Sequence, residues 1–279
     1  MKESILSYQQ EDSIKLLFEI DLKKLLPAPI QRERFNNNWN DFLVSDTCNK
    51  DLFDLKGDRL KYQSEQLIPS KPDDRPSLLL VLGNPASHSV KEGMFFSFEG
   101  NKKEHRFWKD ILAKAGILKL SYIKNLSVAK LNEQRKDQLL NLDYDSPFRI
   151  GLCVFISMPS APSGPWSGIA GVQKLIGAKA MRELEKEESR RVIECAKKFL
   201  SSNGIVVAFQ KNAWNGLKSD KDIPYNIDNA KNGRLKGALK DMPNIPLIGV
   251  PPTRLSGPCS RVLRKLLTQQ GYKLPTFVI

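Results

Sequence analysis

The chain has 279 residues, of which 41% are hydrophobic and 27% are charged, a composition typical of a globular protein that can bury a sizeable core. No apolar run approaches the roughly 20 residues that span a bilayer, and the N-terminus lacks the basic-then-apolar order of a signal peptide, so we expect no membrane partner and a cytoplasmic location. Four scattered cysteines and two histidines predict free thiols and no metal site.

The net charge of +13 is distributed unevenly along the chain. From residue 229 to the end there are nine basic residues and one acid, Asp241, so this tail supplies +8 of the total. The nine are Lys231, Arg234, Lys236, Lys240, Arg254, Arg261, Arg264, Lys265 and Lys273. Such a one-sided patch favours a polyanion such as nucleic acid, although a solvated basic face without a partner would have the same composition.

Residues 1–72 are predicted to be an N-terminal extension that packs on a core domain of residues 73–279. The apolar rhythm of Ile5 to Leu26 indicates one or two short helices, ended by Pro27. The segment from residue 69 to 76 is rich in proline and is typical of a connecting loop.

The core domain alternates predicted strands with predicted helices. The strands are Leu78–Leu82, Ile150–Ser157, Ile205–Gln210 and Pro246–Val250. The helices are Glu104–Ala115, Leu126–Leu142, Ala178–Ser201 and Pro258–Gln269, the last with Ser256 or Gly257 as its N-cap. The alternation predicts a three-layer α/β/α fold with a mainly parallel four-stranded central sheet. In the third helix, Glu188 and Arg191 are expected on a solvated, ion-paired face.

Polar side chains are expected to gather where the predicted strands end, because ligands bind at the carboxyl ends of strands in open α/β sheets. The first strand runs directly into Gly83-Asn84-Pro85, followed by a polar loop with His88 and the aromatic segment Phe95–Phe98. The other strands end near Ser157, at 210–214 and at 251–256. An aromatic segment beside polar strand ends is typical of a pocket for a planar ligand.

The order of these segments resembles the uracil-DNA glycosylase superfamily over roughly residues 77 to 271. Gly83-Asn84-Pro85 is similar to the family's first motif, and Gly93-Met94-Phe95-Phe96-Ser97-Phe98 to its base-stacking segment. Arg106-Phe107-Trp108 is similar to a segment of relatives that excise mismatched bases. Pro251-Pro252-Thr253-Arg254-Leu255-Ser256 is similar to the last motif, which opens a helix.

The resemblance implies a role for each motif in excising a base that is flipped out of the DNA stack. Asn84 would orient a water and Phe96 would stack on the base, within a base-binding set of Gly83, Pro85, Phe96 and Ser157. Leu255 would fill the gap in the stack, and Ser256 would hold a phosphate at a helix N-terminus. The DNA-binding set is Thr253, Arg254, Leu255, Ser256, Arg261, Arg264 and Lys265.

The last motif departs from the family at its first position. The family has His or Asn there, which stabilises negative charge on the leaving base, whereas Val250 and Pro251 have no side-chain donor. His88 is the candidate that would replace this donor, so the predicted catalytic residues are Asn84 and His88.

We therefore expect a DNA glycosylase-like protein whose partner is damaged or mismatched DNA, with no cofactor. Two alternatives stay open. One is a nucleic-acid-binding member of the same fold without turnover. The other is an α/β enzyme acting on a small nucleotide or phosphate ester, although the chain has no glycine motif that cradles phosphates. The excised base, the preference for single- or double-stranded DNA and the oligomeric state are left open.

Overall fold

A computed structural model describes residues 4–100, 103–120 and 126–277. The strands are β1 Leu6–Gln10, β2 Lys15–Asp21, β3 Phe53–Lys56, β4 Arg59–Leu67, β5 Ser77–Leu82, β6 Arg149–Val154, β7 Ile205–Ala208, β8 Lys236–Leu239 and β9 Met242–Gly249. The helices are α1 Leu22–Leu25, α2 Pro29–Val44, α3 Asn49–Leu52, α4 Ser87–Glu92, α5 Val128–Asn141, α6 Gly168–Ile176, α7 Ala178–Phe199, α8 Lys211–Leu217, α9 Ile227–Lys231 and α10 Ser256–Gln269, with a π-helix at Phe107–Ala113.

The chain divides into two compact units. The first consists of Met1–Gln66, Gly83–Phe95 and Val154–Val192. The second consists of Leu67–Leu82, Phe96–Cys153 and Ile193–Ile279. The division into an extension of residues 1–72 and a core of residues 73–279 stays a prediction.

The first unit begins with two strands, so the prediction of one or two short helices from Ile5 to Leu26 is wrong for most of this range and holds only for α1, Leu22–Leu25. β1 pairs with β2, β2 with β4, and β3 with β4, all antiparallel. In β2 the buried residues Leu16, Phe18 and Ile20 alternate with partly exposed ones, which is the two-residue period of a strand with one buried face. The Asp12 carboxylate accepts hydrogen bonds from two backbone amides and forms the turn between β1 and β2.

The second unit contains the four strands that the sequence predicts. β5 pairs with β7 and β7 with β9, both parallel, while β8 pairs with β9 antiparallel, in the order β6-β5-β7-β9-β8. An α/β protein is therefore confirmed. The predicted four-stranded, mainly parallel sheet is wrong in its size and regularity, because the strands of the described residues number nine and their pairing is mixed. The strands beyond the predicted four are β1 to β4 and β8, and the pairs β1-β2, β2-β4, β3-β4 and β8-β9 are antiparallel. The pairs β1-β2, β3-β4 and β8-β9 are consecutive in the chain and need only short turns.

The predicted helices are found with two changes. The segment predicted as an α-helix from Glu104 to Ala115 contains a π-helix over Phe107–Ala113, and the polar loop after β5 contains the short helix α4. α10 begins at Ser256 with Leu255 as its N-cap, so the predicted cap at Ser256 or Gly257 is one or two residues late. Among the described residues, no helix is both long and apolar enough to cross a membrane.

Candidate functional site

The side chain of Asn84, two residues beyond β5, is held in one orientation. Its Nδ2 donates to the Met158 carbonyl oxygen at 3.2 Å and to Ser160 Oγ at 2.9 Å. Because a carbonyl oxygen can only accept, the amide nitrogen must face Met158. Oδ1 therefore points the other way, and no hydrogen bond from the described residues reaches it. It is an acceptor available to a water.

A glycine lies beside this oxygen. Gly168, the first residue of α6, has a φ of 64°, and a Cβ built on it would lie 4.0 Å from Asn84 Oδ1. A larger residue is disfavoured at this backbone conformation. The backbone conformation therefore favours glycine at position 168, next to the acceptor.

Two loops of the first unit are tied together around Asn84. Ser160 N donates to the Pro85 carbonyl oxygen at 3.1 Å, and Ser87 N donates to the Ser160 carbonyl oxygen at 2.9 Å. Ile156 N donates to the carbonyl oxygen of Gly83 at 2.9 Å. These backbone bonds make the support of Asn84 rigid, which is what positioning of a reacting group requires.

The segment that follows Asn84 is also anchored. The Ser87 hydroxyl donates to Asn49 Oδ1 at 2.5 Å, and Asn49 Nδ2 donates to the Phe42 carbonyl oxygen at 2.8 Å. Both polar side chains are fully buried. His88 is the second residue of α4 and is half-buried, so it lies in a helix rather than in the predicted loop. Its role as a catalytic donor stays a prediction.

Ser157 belongs to a buried polar network. Its hydroxyl lies 2.7 Å from the Tyr62 hydroxyl, and its backbone amide donates to Glu188 Oε1 at 2.6 Å. The same carboxylate oxygen accepts from the Ser157 hydroxyl. Burial raises the pKa of Tyr62 well above its usual value, and the Glu188 charge raises it further, so the phenol stays neutral. The base contact predicted for Ser157 stays a prediction and requires this network to open.

The network is completed by a buried ion pair, so the prediction of a solvated face for Glu188 and Arg191 is wrong. Arg191 Nε donates to Glu188 Oε2 at 2.6 Å, and its Nη2 donates to the Val154 and Phe155 carbonyl oxygens. Both side chains are almost completely buried. Helix α7 thereby holds the segment that leads from β6 to Met158, whose carbonyl orients Asn84.

Phe96 adopts an unusual backbone conformation in the second unit. Its φ of 48° is left-handed, which bulky residues rarely adopt. Its ring stacks on Phe107 at 4.1 Å between centroids, and Trp108 Nε1 donates to its carbonyl oxygen at 3.1 Å. His105 lies 4.6 Å from the same ring. Such strain persists where the surroundings impose it, and it clusters at functional sites.

The loop after β9 is mixed in exposure. Val250 and Pro251 are buried, Thr253, Leu255 and Ser256 are half-buried, and Arg254 is exposed. The side chain of Leu255 cannot cap α10, so the helix opens with backbone amides that lack a side-chain acceptor. An anion is favoured at such a terminus of a long helix.

The basic tail contains two kinds of cation. Arg264 donates to the carbonyl oxygens of Ala115, Leu274 and Pro275, so its guanidinium holds the C-terminal segment against the second unit. The other eight are exposed, and none of them forms an ion pair with a carboxylate of the described residues. They are Lys231, Arg234, Lys236, Lys240, Arg254, Arg261, Lys265 and Lys273.

In the described part of the chain, no group of three or more His, Cys, Asp or Glu side chains is arranged to hold a metal ion. Comparison with models of protein families finds no match, and comparison with curated proteins finds none either.

Proposed function

We propose that the protein binds DNA and hydrolyses the N-glycosidic bond of a flipped damaged or mismatched base, on a fold like that of the uracil-DNA glycosylases. The observation that carries the proposal is the fixed amide of Asn84, which leaves Oδ1 as an acceptor for a water. Positioned water next to a flipped base is what hydrolytic excision needs.

The strand order supports the placement of a site at this end of the sheet. In the sheet, β5 lies between β6 and β7. The chain passes from β5 to β6 on one side and then crosses to β7 on the other, so the connections change direction at β5. Doubly wound sheets bind their ligands beyond the carboxyl ends of the strands at such a switch point. Asn84 follows β5 directly after Gly83.

Asn84 acts by positioning and not by taking a proton, because an amide is not a base at neutral pH. Its oxygen accepts a hydrogen bond from the attacking water and orients it toward the sugar. The bond to the base must then break with little proton abstraction, which suits a dissociative path. We therefore expect slow turnover, since general base catalysis contributes roughly 10²- to 10⁴-fold where it operates.

Phe96 is the residue that stacks on the base in this proposal. Phe107 supports its ring from one side, and the bond from Trp108 to its carbonyl fixes the strained backbone. A rigid aromatic ring provides stacking without the entropy cost of ordering a mobile side chain.

The loop after β9 and helix α10 supply contacts to the DNA backbone. The hydroxyls of Thr253 and Ser256, with the amides at the start of α10, would bind a phosphate. Leu255 would fill the space left by the flipped base. Arg254, Arg261 and Lys265 are exposed and would add affinity that does not depend on sequence.

DNA binding without turnover is the second candidate function. The observation that favours it is the buried pair Val250 and Pro251, where no side chain can donate a hydrogen bond to a leaving base. Loss of one such donor costs about 10²- to 10³-fold in kcat in other enzymes.

We assign a cytoplasmic location to either function, because all four cysteines are free thiols.

Oligonucleotides carrying uracil, hypoxanthine or ethenocytosine, incubated with the protein and then cleaved with alkali, test the proposal. We expect strand cleavage at the modified base with the wild type and none with Asn84→Ala. Salt-sensitive DNA binding without an abasic product would support the second candidate. Absence of both binding and product would exclude both.

A further inference from the structure

A short loop in the second unit holds Tyr225 firmly at the surface. Tyr225 N donates to Asn215 Oδ1 at 2.8 Å, and its hydroxyl lies 3.4 Å from the Val250 carbonyl oxygen. Trp214 Nε1 donates to the Ile223 carbonyl oxygen at 2.9 Å. These bonds attach the loop to α8 and to the end of β9. Tyr225 is therefore presented by two regular elements, beside the loop that contains Arg254.

The residues two positions before and two positions after Tyr225 are exposed isoleucines. Ile223 is 46% exposed and Ile227 is 36% exposed. Within the described part of the second unit, no other large hydrophobic side chain is this exposed. Tyr225 itself is half-buried. Two exposed isoleucines on either side of one tyrosine, within five residues of the chain, are unusual on a surface this polar and indicate a contact site.

Charged side chains of both signs lie near the loop that contains Tyr225. Arg254 lies close enough to lower the pKa of Tyr225, whereas burial, the larger effect, and then Cys259 raise it, to about 12. The phenol is therefore neutral at physiological pH. Asp228 and Asp220 are exposed nearby, and Asp222 is engaged with the backbone amides of Ser219 and Ala238.

Cations adjoin these acids along the chain. Lys231 ends α9, the helix that Ile227 begins, and Arg234 follows it. Neither they nor Arg254 pairs with a carboxylate of the described residues. Apolar and aromatic side chains next to unpaired cations suit a ligand that alternates planar bases with phosphates.

We propose that Ile223, Tyr225 and Ile227, together with Arg254, form a binding site for an unpaired stretch of a DNA strand. This inference deepens the proposed function and rests on its DNA-binding part. The bases of an intact duplex are stacked and cannot reach an apolar surface, whereas unpaired bases can. The net charge of +13 favours a polyanion over a second copy of this positively charged chain.

The test compares two pairs of substitutions that each remove two exposed aliphatic side chains. The first is Ile223→Ser with Ile227→Ser. The matched control is Ile30→Ser with Val44→Ser, both exposed on α2 of the first unit. Affinity is measured by fluorescence anisotropy with a single-stranded thymidine oligonucleotide and with a duplex of equal length.

We expect the first pair to weaken single-strand binding about 10-fold while duplex binding changes less than about twofold, and the control pair to change neither. Equal loss on both probes, or no loss on either, overturns the inference. Self-association that disappears in the first pair, without an effect on DNA affinity, would assign the surface to a second copy and also overturn it.

A cross-link provides a readout that does not depend on turnover. An oligonucleotide with 5-iodouracil in an unpaired position is irradiated with the wild-type protein, and the modified peptide is identified by mass spectrometry. We expect the cross-link at Tyr225. A cross-link at Tyr225 without excision of any base would retain this inference and reject the excision proposal. Base excision without a cross-link at Tyr225, together with unchanged single-strand affinity of Ile223→Ser with Ile227→Ser, would reject this inference and retain the excision proposal.

Discussion

Ser160 Oγ accepts a hydrogen bond from Nδ2 of Asn84 at 2.9 Å, and this bond helps to decide which end of the amide is available to a water. Ser160→Ala removes the acceptor while the bond to the Met158 carbonyl stays. We expect the rate of base excision to fall about 10- to 100-fold, because a loosened positioning group costs rate more than binding. Single-turnover excision assays with matched DNA-binding measurements check this.

The complementary change, Asn84→Asp, removes the hydrogen-bond donor of the side chain and keeps its size. A carboxylate cannot donate to the Met158 carbonyl, so that acceptor is left without its partner. We expect a loss of about 1–3 kcal/mol in the free energy of unfolding, measured with urea. If Asn84→Asp unfolds at the same urea concentration as the wild type, the amide is not held as described.

Glu188 is predicted to be essential for stability. Glu188→Ala leaves the Arg191 guanidinium buried without its counter-ion and removes the acceptor of two Ser157 groups. We expect a loss of about 3–5 kcal/mol in unfolding free energy.

The matched control on the same helix is Glu194→Ala. Glu194 pairs with Lys197 on the exposed side of α7, where such a pair contributes about 0–1 kcal/mol. Similar urea midpoints for the two variants would contradict the buried ion pair.

The strands of the second unit could be predicted from the sequence because their signal is local. β5, β7 and most of β6 and β9 are short runs of large or β-branched apolar residues that are buried along most of their length. The helix after the last loop was equally predictable. The N-terminal strands are not predicted, although burial alternates regularly along β2, because Leu17 on its partly exposed face is also apolar. The sequence therefore lacks a clear two-residue period, and its apolar rhythm suggests a helix.

The contacts that build the site are not local, which is why the sequence does not reveal them. The partner of Asn84 is 76 residues away, and no pattern around either residue indicates the pairing. Glu188 had a usable signal, because Met181, Leu184 and Glu188 recur at helical spacing along one buried stripe of α7. Its charged neighbours obscured that signal. The left-handed conformation of Phe96 follows from its surroundings and not from its residue type.

The buried carboxyl group of Glu65 predicts a dependence of stability on pH. Glu65 in β4 is 3% exposed, its Oε2 has no hydrogen-bond partner among the described residues, and burial raises its pKa well above the usual value. The folded protein therefore holds this proton more tightly than the unfolded chain does. Its contribution to stability is complete below the unfolded pKa, and it is lost as pH rises toward the folded pKa.

Glu65→Gln removes this titration while keeping the shape of the side chain. We expect the variant to gain unfolding free energy over the wild type at pH 8, and the gain to shrink as the pH is lowered to 4.5. Urea unfolding across this range measures it. The control, Glu11→Gln at an exposed position, should stay within about 0.5 kcal/mol of the wild type at each pH. A gain that does not vary with pH would show that the carboxyl group is not buried.

The last prediction concerns the basic tail. It distinguishes the cations that are proposed to bind DNA from Arg264, which supports the fold. Arg261→Ala and Lys265→Ala remove exposed cations that form no ion pair with the described residues. Each should therefore weaken duplex binding regardless of sequence and lower the slope of log affinity against log salt by about 1. Arg264→Ala removes a guanidinium that donates to three backbone carbonyls, and we expect it to lower the thermal midpoint instead.

Lys56→Ala is the control for removal of one positive charge in the first unit, where Lys56 is 81% exposed and pairs with the half-exposed Asp54 at 2.9 Å. Anisotropy titrations at several salt concentrations, with thermal unfolding of each variant, check the set. If Lys56→Ala changes the salt slope as much as Arg261→Ala does, DNA contacts are spread over the whole positively charged surface. If only Arg261→Ala and Lys265→Ala change it, the contacts include α10 and do not extend to Lys56, because removal of the Lys56 charge leaves the number of released counterions unchanged.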